Sequence, residues 1–425
     1  MPRSYQRVCL LFWIVGFLLA CSLWSADADS DAGSSQGEIV LVGGTIYASP
    51  TAAPIANGAI VIREGKIVQI GRRSQVKIPK TAKTLDCTGK FISAGFWNSH
   101  VHFTEPVWQN AAGAPGDKLE EHMREMLTRW GFTTVFDIGS FPRDTLALRK
   151  RVNSGEVPGP KIYTTAGAIY PENGIPVYIP QPIASQIKRY EAATPADAAR
   201  LARESLAMGG DGIKLFTGAI MGHGKVTPMP ADVARAAVEV AHAAGKPVFA
   251  HPSNHVGADN ALSAGVDILA HTIPEEGEFT PDELAHMKAQ HTGLIPTLTL
   301  WEVELEKEHA SAENERQFVQ AGVIELKSYF DEGGKILFGT DVGYTQHYDT
   351  AEEYVLMSRS GMGWRDILAS LTTNPATFFK HAHTGELAVG SDGDMVVLDA
   401  NPATDVRNFA RVDYTIRAGR VIYEK

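Results

Sequence analysis

Six side chains that could bind divalent cations or move protons occur in or directly after short apolar segments of this 425-residue sequence. They are His100, His102, Lys214, His251, His271 and Asp341. His100 and His102 are separated by one residue, so in an extended segment both imidazoles point to the same side. Neutral imidazoles and carboxylates are the ligands that a divalent metal such as zinc prefers. The residue types and their spacing therefore predict a metal site.

Lys214 differs from the other five residues because it places a cation inside the apolar segment Gly212–Phe216. A buried ammonium group is costly unless it is paired or neutralised. One interpretation is a salt bridge to Asp341 or to another acid. The other is that the amine has reacted with carbon dioxide to give a carbamate, which bridges two metals as a carboxylate would. The residues alone leave both interpretations open.

These six residues are far apart in sequence, and residues 93–380 contain a repeated pattern that can bring them together. A helical stretch ends in glycine, which is favoured just after a helix, and a short apolar strand follows. Gly131 before Thr133–Phe136 is one instance. Eight such strands separated by helices predict an α/β fold, a closed (β/α)8 TIM-type barrel, with an open doubly wound sheet as the alternative. The six residues then follow strands 1, 4, 5, 6 and 8, at the face where barrel enzymes place their active sites.

The two ends of the chain have a different character, because short β-branched runs alternate there with glycine-rich turns. Gly58–Arg63 in residues 38–92 and Met395–Leu398 in residues 381–425 are examples. We therefore predict that both chain ends together form one small β-sandwich domain beside the barrel of residues 93–380.

The first residues have the layout of a secretory signal peptide. Arg3 and Arg7 precede the apolar run Val8–Ala20. This run is shorter than the stretch of about 20 residues that a membrane-spanning helix needs. We predict a signal peptide over residues 1–26 and a polar linker over residues 27–37.

Different processing outcomes are open for this signal. Leu18–Cys21 resembles the lipobox of bacterial lipoproteins, in which the cysteine is acylated, whereas Ala26–Ala28 offers a site for ordinary cleavage. An uncleaved N-terminal anchor is a third outcome. We expect an exported protein of the bacterial cell envelope, either periplasmic or lipid-anchored through Cys21. Cys87 is then the one cysteine of the chain body, so we expect it to be a buried thiol without an internal disulfide.

Charge and composition exclude other classes of protein. The formal net charge is -10 and 44% of the residues are hydrophobic, which is typical of a folded globular chain. The sequence has no basic stripe of the kind that binds phosphates, so we do not expect nucleic acid as a partner. The expected partner is a small-molecule substrate, and a homo-oligomer is left open.

The pattern of six residues resembles that of the amidohydrolase superfamily, with His-x-His after strand 1, lysine after strand 4, histidines after strands 5 and 6, and aspartate after strand 8. The flanking segments Lys90–Phe96 and Gly339–Asp341 are similar too, as are Gly390–Asp399 and Val412–Ile422 near the C-terminus. The resemblance covers roughly residues 38–425. It is strongest to the imidazolonepropionase-like and Xaa-Pro dipeptidase (prolidase)-like amidohydrolases.

The resemblance implies two divalent metal ions, expected to be zinc, and a carbamylated Lys214 that bridges them. One ion would be held by His100, His102 and Asp341, and the other by His251 and His271. A metal-bridged hydroxide would attack the carbonyl, and Asp341 would take its proton and deliver it to the leaving amine. The implied activity is hydrolysis of an amide or peptide C–N bond in a small substrate, such as a dipeptide or an N-acyl amino acid.

Two alternatives stay open. In a mononuclear imidazolonepropionase-like cyclic-amide hydrolase or deaminase, Lys214 would be an unmodified structural lysine. In a non-catalytic envelope lipoprotein, the degenerate barrel would serve as a binding module. The residues predicted to contact substrate come from the loops that follow the strands, and they are Tyr170, Tyr178, His223, His255 and Tyr344.

Overall fold

The computed structural model describes residues 38–222, 224–274 and 277–425. The predicted signal peptide (residues 1–26), the predicted linker (residues 27–37), Cys21 and His223 lie outside the described residues. None of the helices in the described ranges combines the length and the apolar character that crossing a membrane requires.

Most strands are short and carry the β-branched and aromatic residues that favour extended structure. In chain order, the strands of the described ranges are β1 (Ile39–Val42), β2 (Thr45–Tyr47), β3 (Gly58–Arg63), β4 (Lys66–Arg72), β5 (Lys83–Asp86), β6 (Phe91–Ala94), β7 (Phe96–Val101), β8 (Phe132–Asp137), β9 (Lys161–Thr164), β10 (Tyr170–Pro171), β11 (Glu191–Ala192), β12 (Ile213–Phe216), β13 (Gly218–Ile220), β14 (Val226–Pro228), β15 (Val248–His251), β16 (Ile268–Ala270), β17 (Gly293–Ile295), β18 (Lys335–Ile336), β19 (Met395–Leu398), β20 (Val412–Arg417) and β21 (Arg420–Glu424).

Helices separate most of the central strands, and several begin at clear capping residues. Thr194 and Asp197 form a capping box at the start of one helix, and Thr280 and Glu283 form another. The helices of the described ranges are α1 (Gly116–Met126), α2 (Pro142–Asn153), α3 (Gln181–Ile187), α4 (Pro195–Ala207), α5 (Ala231–Ala243), α6 (His255–Ala264), α7 (Pro281–Gln290), α8 (Leu298–Lys307), α9 (Ala312–Asp331), α10 (Ala351–Arg359), α11 (Trp364–Leu371) and α12 (Thr373–Phe378).

The central strands pair in parallel, which confirms the predicted α/β class. Strands β7, β8 and β9 form a three-stranded sheet, and β12, β15, β16, β17 and β18 form a five-stranded sheet. Single parallel bridges join Val101 to Val342 and Ile169 to Leu215.

The sheet pairing therefore differs from the continuous ring of eight strands that the sequence predicts. After β9 the backbone turns at Ala166 and Gly167, whose φ angles are 51° and 107°. After this turn, the segment that follows β9 pairs with β12 through one bridge, between Ile169 and Leu215, and not through a full ladder.

The residues of the two chain ends form two further sheets. One has the order β4-β3-β1-β5 and the other the order β2-β6-β19-β20-β21. Strand β6 runs antiparallel to β19, with Ala94 opposite Met395, so residues from both ends share a sheet. One buried apolar cluster contains residues of both sheets, including Leu41 and Val397. Cys87 is a buried free thiol in this cluster, as predicted.

Candidate metal centre

His100, His102 and Asp341 converge at the carboxyl ends of the parallel strands. Nε2 of His100 lies 3.0 Å from Oδ1 of Asp341, and Nε2 of His102 lies 2.8 Å from the same oxygen. The two Nε2 atoms are 3.2 Å apart. Potential ligand atoms of all three residues lie within 4.8 Å of one another, which makes this group a possible metal site.

The backbone around Asp341 is adapted to this convergence. Asp341 has a φ of 59°, a left-handed conformation that is uncommon for residues other than glycine. Its backbone N–H donates to the carbonyl oxygen of His100 over 2.9 Å. A Cβ on Gly339 would lie 2.8 Å from the Cβ of His100, so glycine permits the close approach of the two segments.

His251 and His271 lie beside this group. The ring centroid of His271 is 4.6 Å from that of His251 and 4.7 Å from that of His100. His251 ends β15 and its ring stacks on Phe216 with centroids 4.7 Å apart. His271 directly follows β16 and has a φ of 122°. Both imidazoles therefore face the same space as the first three ligands.

Lys214 is buried in the structure, as its position in an apolar segment predicts. Its side chain extends from β12 and the residue is 2% exposed. Among the described residues, no group forms a hydrogen bond with its Nζ, which is 5.7 Å from the ring centroid of Phe216. Burial lowers the pKa of Lys214 to about 7, and Asp341 opposes that shift. Near neutral pH a substantial fraction of this amine is therefore uncharged.

Burial also determines the charge of the other ligands. It lowers the pKa of His100 to about 3, and it holds the pKa values of His251 and His271 well below the usual range. These imidazoles are therefore neutral, which is the form that binds metals. Burial alone would raise the pKa of Asp341, but its contacts with His100 and His102 hold that pKa well below its usual value.

A cavity of about 270 Å³ contains the ligand side chains in its wall. The remainder of the wall is mainly apolar and aromatic, and much of it comes from the segment of residues 172–190 between β10 and β11. The apolar and aromatic residues include Ile138, Phe141, Tyr178, Ile179, Ile183, Ile187, Tyr190, Phe216, Ile220, Leu300 and Trp301. A site of this composition suits a small organic molecule with apolar groups.

Three of the residues predicted to contact substrate line this cavity, namely Tyr170, Tyr178 and Tyr344. Tyr178 and Tyr344 pack edge to face, with ring centroids 5.3 Å apart. The structure does not place His255 in the cavity wall. Its Nδ1 lies 2.9 Å from both carboxylate oxygens of the buried Glu283, so the ring is held against α7 instead.

Sequence reasoning missed most of the cavity wall and the groups that orient the ligands. Trp301 and Ile183 line the cavity but lie in segments without a distinctive motif. Nδ1 of His271 lies 2.7 Å from the hydroxyl of Thr297. Their position in the fold could have indicated these residues, because each lies in a segment between a central strand and the strand that follows it, where barrel enzymes place their active sites.

Parallel strands that end in a His/His/Asp group define an α/β protein with a candidate metal centre. The sequence model described as "Amidohydrolase family" matches residues 91–422. The chain belongs to the amidohydrolase family, which confirms the resemblance seen in the pattern of ligands. It is accordingly a hydrolase of the amidohydrolase type.

Known relatives are similar along most of the chain. Ochratoxinase of Aspergillus niger is 23% identical over 421 residues, covering 89% of this chain and 85% of that protein. The crystal structure of a Xaa-Pro dipeptidase with bound methionine has a TM-score of 0.76 at 22% identity, covering 92% of this chain and all of that one (100%). A putative prolidase from Bifidobacterium longum has a TM-score of 0.76 at 24% identity, covering 91% and 95%. At these identities the structural likeness shows the fold.

Proposed function

We propose that this chain is a metal-dependent amidohydrolase that cleaves an amide or peptide C–N bond of a small substrate, a dipeptide or an N-acyl amino acid. The observation that carries this proposal is the convergence of the His100, His102 and Asp341 side chains in the wall of a largely apolar cavity. One similar structure, that of a Xaa-Pro dipeptidase, supports a dipeptide substrate by its name.

The buried residues fit a pair of divalent cations, and zinc is the proposed metal. His100, His102 and Asp341 would hold one ion and His251 and His271 the other, with Lys214 between them. Buried neutral imidazoles and a carboxylate match the ligands that zinc prefers. The Lys214 amine fits as well, because an uncharged amine adds to carbon dioxide and loses a proton, which leaves a carbamate with a carboxylate-like end.

The chain's own residues then account for the proton transfers. Two bound cations would supply Lewis acids that polarise the scissile carbonyl and lower the pKa of a water molecule. Oδ1 of Asp341 lies among the ligand nitrogens, where its carboxylate can accept a proton from that water. The same carboxyl group can return the proton to the nitrogen of the leaving amine. The apolar wall limits access of other water molecules.

One observation favours the mononuclear alternative. Within the described ranges, the group that brings its ligand atoms within 4.8 Å of one another contains His100, His102 and Asp341 but neither of the other two histidines. A single ion there, with Lys214 left as an unmodified amine, would suit a cyclic-amide hydrolase or deaminase. Metal analysis separates the two, since two ions per chain support the dinuclear proposal and one supports the alternative.

Asp341→Asn tests the proposed chemistry. Screening zinc-loaded protein against dipeptides and N-acyl amino acids should identify a substrate whose hydrolysis stops when a chelator removes the metal. Asn cannot accept the proton, so we expect turnover to fall by about 100- to 10,000-fold. Asp331→Asn is a matched control, because Asp331 pairs with Lys327 at the exposed end of α9. Turnover near the wild-type value in Asp341→Asn, or hydrolysis that survives chelation, would contradict the proposal.

We also propose that the three-stranded and five-stranded parallel sheets are parts of one closed barrel over residues 93–380. Two bridges support closure, because Val342, which follows β18, pairs with Val101 of β7, and Ile169, which follows β9, pairs with Leu215 of β12. The apolar cluster shared by the two terminal sheets supports a β-sandwich built from residues 38–92 and 381–425. An experimental structure with separate cores for these sheets would contradict the sandwich.

Export is a proposal that rests on the sequence alone. Residues 1–26 would direct the chain to the cell envelope, where it would be periplasmic or anchored through an acylated Cys21. The mass of the mature N-terminus distinguishes lipid attachment at Cys21 from ordinary cleavage near Ala28, and a retained Met1 would contradict both.

A further inference from the structure

We propose that Glu105, Tyr348 and His122 form a clamp that positions the two loops carrying His102 and Asp341. The strand-1 loop comprises residues 102–115, between β7 and α1, and the strand-8 loop comprises residues 337–350, between β18 and α10. The three clamp residues act as positioning residues, and their role in turnover rests on the proposed function.

The clamp is a partly buried hydrogen-bond network between the two loops, and Glu105 is its buried member. The Tyr348 hydroxyl donates to the Glu105 carboxylate, with distances of 2.8 Å to Oε1 and 2.9 Å to Oε2. Nε2 of His122, on α1, pairs with the same carboxylate and lies 3.3 Å from the Tyr348 hydroxyl. Glu105 is only 7% exposed. A carboxylate at such a position is costly unless both oxygens are satisfied, so the three side chains have a strong preference for one arrangement.

The same two loops are in direct contact next to the ligands. The backbone N–H of His102 donates to the carbonyl oxygen of Val342 over 2.8 Å. The hydroxyl of Thr104 donates to the carbonyl oxygen of Gly343 over 2.6 Å. A Cβ on Gly343 would lie 1.7 Å from the carbonyl oxygen of His102, so a glycine is needed for this approach. A shift of either loop would therefore move a ligand.

Aromatic packing fixes the outer side of the clamp. Trp108, in the strand-1 loop, packs edge to face on the His122 ring, with centroids 5.0 Å apart. The Trp108 ring also packs on Phe103, at 5.3 Å and an interplanar angle of 87°. Trp108 and Phe103 are 1% and 2% exposed. The strand-1 loop is thus held against α1. The hydrogen bond from Tyr348 to Glu105 then holds the strand-8 loop in a fixed position relative to the strand-1 loop.

The phenol of Tyr348 is suited to act as a permanent donor. Burial and its contact with Glu105 raise the pKa of Tyr348, so the hydroxyl keeps its proton through the working pH range. Tyr348 lies seven positions after Asp341 and four after Tyr344, which lines the cavity. Holding Tyr348 therefore restrains a metal ligand and a wall residue together.

Tyr348→Phe tests the clamp, because it removes the donor while the ring is kept. Tyr329→Phe is the matched control, since the buried Tyr329 hydroxyl donates to the carbonyl oxygen of Thr292, outside both loops. We expect Tyr348→Phe to weaken cobalt or zinc binding by about 10- to 100-fold and to change the visible spectrum of the cobalt-loaded protein. On a substrate of the wild type, kcat should fall by a similar factor while KM changes less.

The clamp proposal would be overturned if Tyr348→Phe left the metal affinity, the cobalt spectrum and turnover unchanged. It would also be overturned if Tyr329→Phe lost as much metal affinity and turnover as Tyr348→Phe. Glu105→Gln, which keeps an acceptor for Tyr348, should lose less metal affinity than Glu105→Ala, and the opposite order would also overturn it. These readouts separate the two proposals. If no amide is hydrolysed by the wild type, the proposed function fails while the binding and spectral results still decide the clamp.

Discussion

The Thr297 hydroxyl lies 2.7 Å from Nδ1 of His271 and also 2.8 Å from the carbonyl oxygen of Pro296. Because the hydroxyl donates its one proton to the carbonyl, its oxygen accepts the proton on Nδ1 of the imidazole. This arrangement leaves Nε2 of His271 with a free lone pair. A histidine that binds a metal through Nε2 requires this tautomer, so Thr297 prepares the ring for ligation.

Thr297→Val should therefore disturb the metal centre without changing the shape of the core greatly. Loss of the acceptor lets the His271 ring adopt the wrong tautomer, and we expect zinc affinity to fall by about 10- to 100-fold. Thr297→Ser keeps the hydroxyl and should stay near the wild type. Competition with a chromogenic chelator measures both variants. Equal zinc affinities for Thr297→Val, Thr297→Ser and the wild type would show that the contact between Thr297 and His271 has no influence on metal binding.

Lys214 should carry a carbamate in the metal-loaded protein. Incubation with 13C-labelled bicarbonate should produce a carbamate resonance in the 13C spectrum of the wild type. Lys214→Met keeps an apolar chain of similar length in the buried position and removes the amine, so we expect this resonance to disappear and one metal ion per chain to be lost. A wild-type protein with two ions and no carbamate resonance would contradict the prediction.

Glu325 should make stability depend on pH. Its Oε2 accepts the backbone N–H of Ile273 over 2.6 Å, and burial raises its pKa to about 9. In the unfolded chain the glutamate ionises near its ordinary pKa, so between these two pKa values the folded state holds a proton that the unfolded state has lost. Stability therefore falls as pH rises, by about 3 kcal/mol between pH 5 and pH 7.

Urea unfolding of the metal-free protein at several pH values checks this effect. Glu325→Gln cannot ionise, so we expect the part of the pH dependence that Glu325 causes to disappear and the gain of the variant over the wild type to increase with pH up to about pH 9. Glu332→Gln, at an exposed position paired with Lys288, is a suitable control. If the curves of Glu325→Gln and wild type run parallel, Glu325 is ionised in the folded protein.

Tyr178 should contribute to substrate binding through its ring and not through its hydroxyl. The ring lines the cavity and packs on Tyr344. Tyr178→Ala removes that contact, and we expect KM for an apolar N-acyl amino acid to rise about 10-fold. Tyr178→Phe should change KM by less than about 3-fold. Steady-state kinetics on one substrate measures both variants. A larger rise in KM for Tyr178→Phe than for Tyr178→Ala would assign the role in binding to the hydroxyl.

The α/β class and the resemblance to amidohydrolases could be predicted from the sequence because both depend on local patterns. Glycine before a short apolar strand marks where a helix ends, and it does so repeatedly along residues 93–380. His100 and His102 point to one side because they are two residues apart in extended structure. Proximity in sequence to His251 does not determine where the His255 side chain points, and in the structure its Nδ1 lies 2.9 Å from the Glu283 carboxylate.

The sequence by itself determined which side chains are available at the ends of the strands and what chemistry those side chains can perform. The tertiary structure alone decided which of them meet, and which groups orient them. Thr297 reaches His271 across 26 positions, and Tyr348 reaches Glu105 across 243. Such pairs leave no local pattern, because a hydrogen bond depends on a separation of about 3 Å in space and not on distance along the chain.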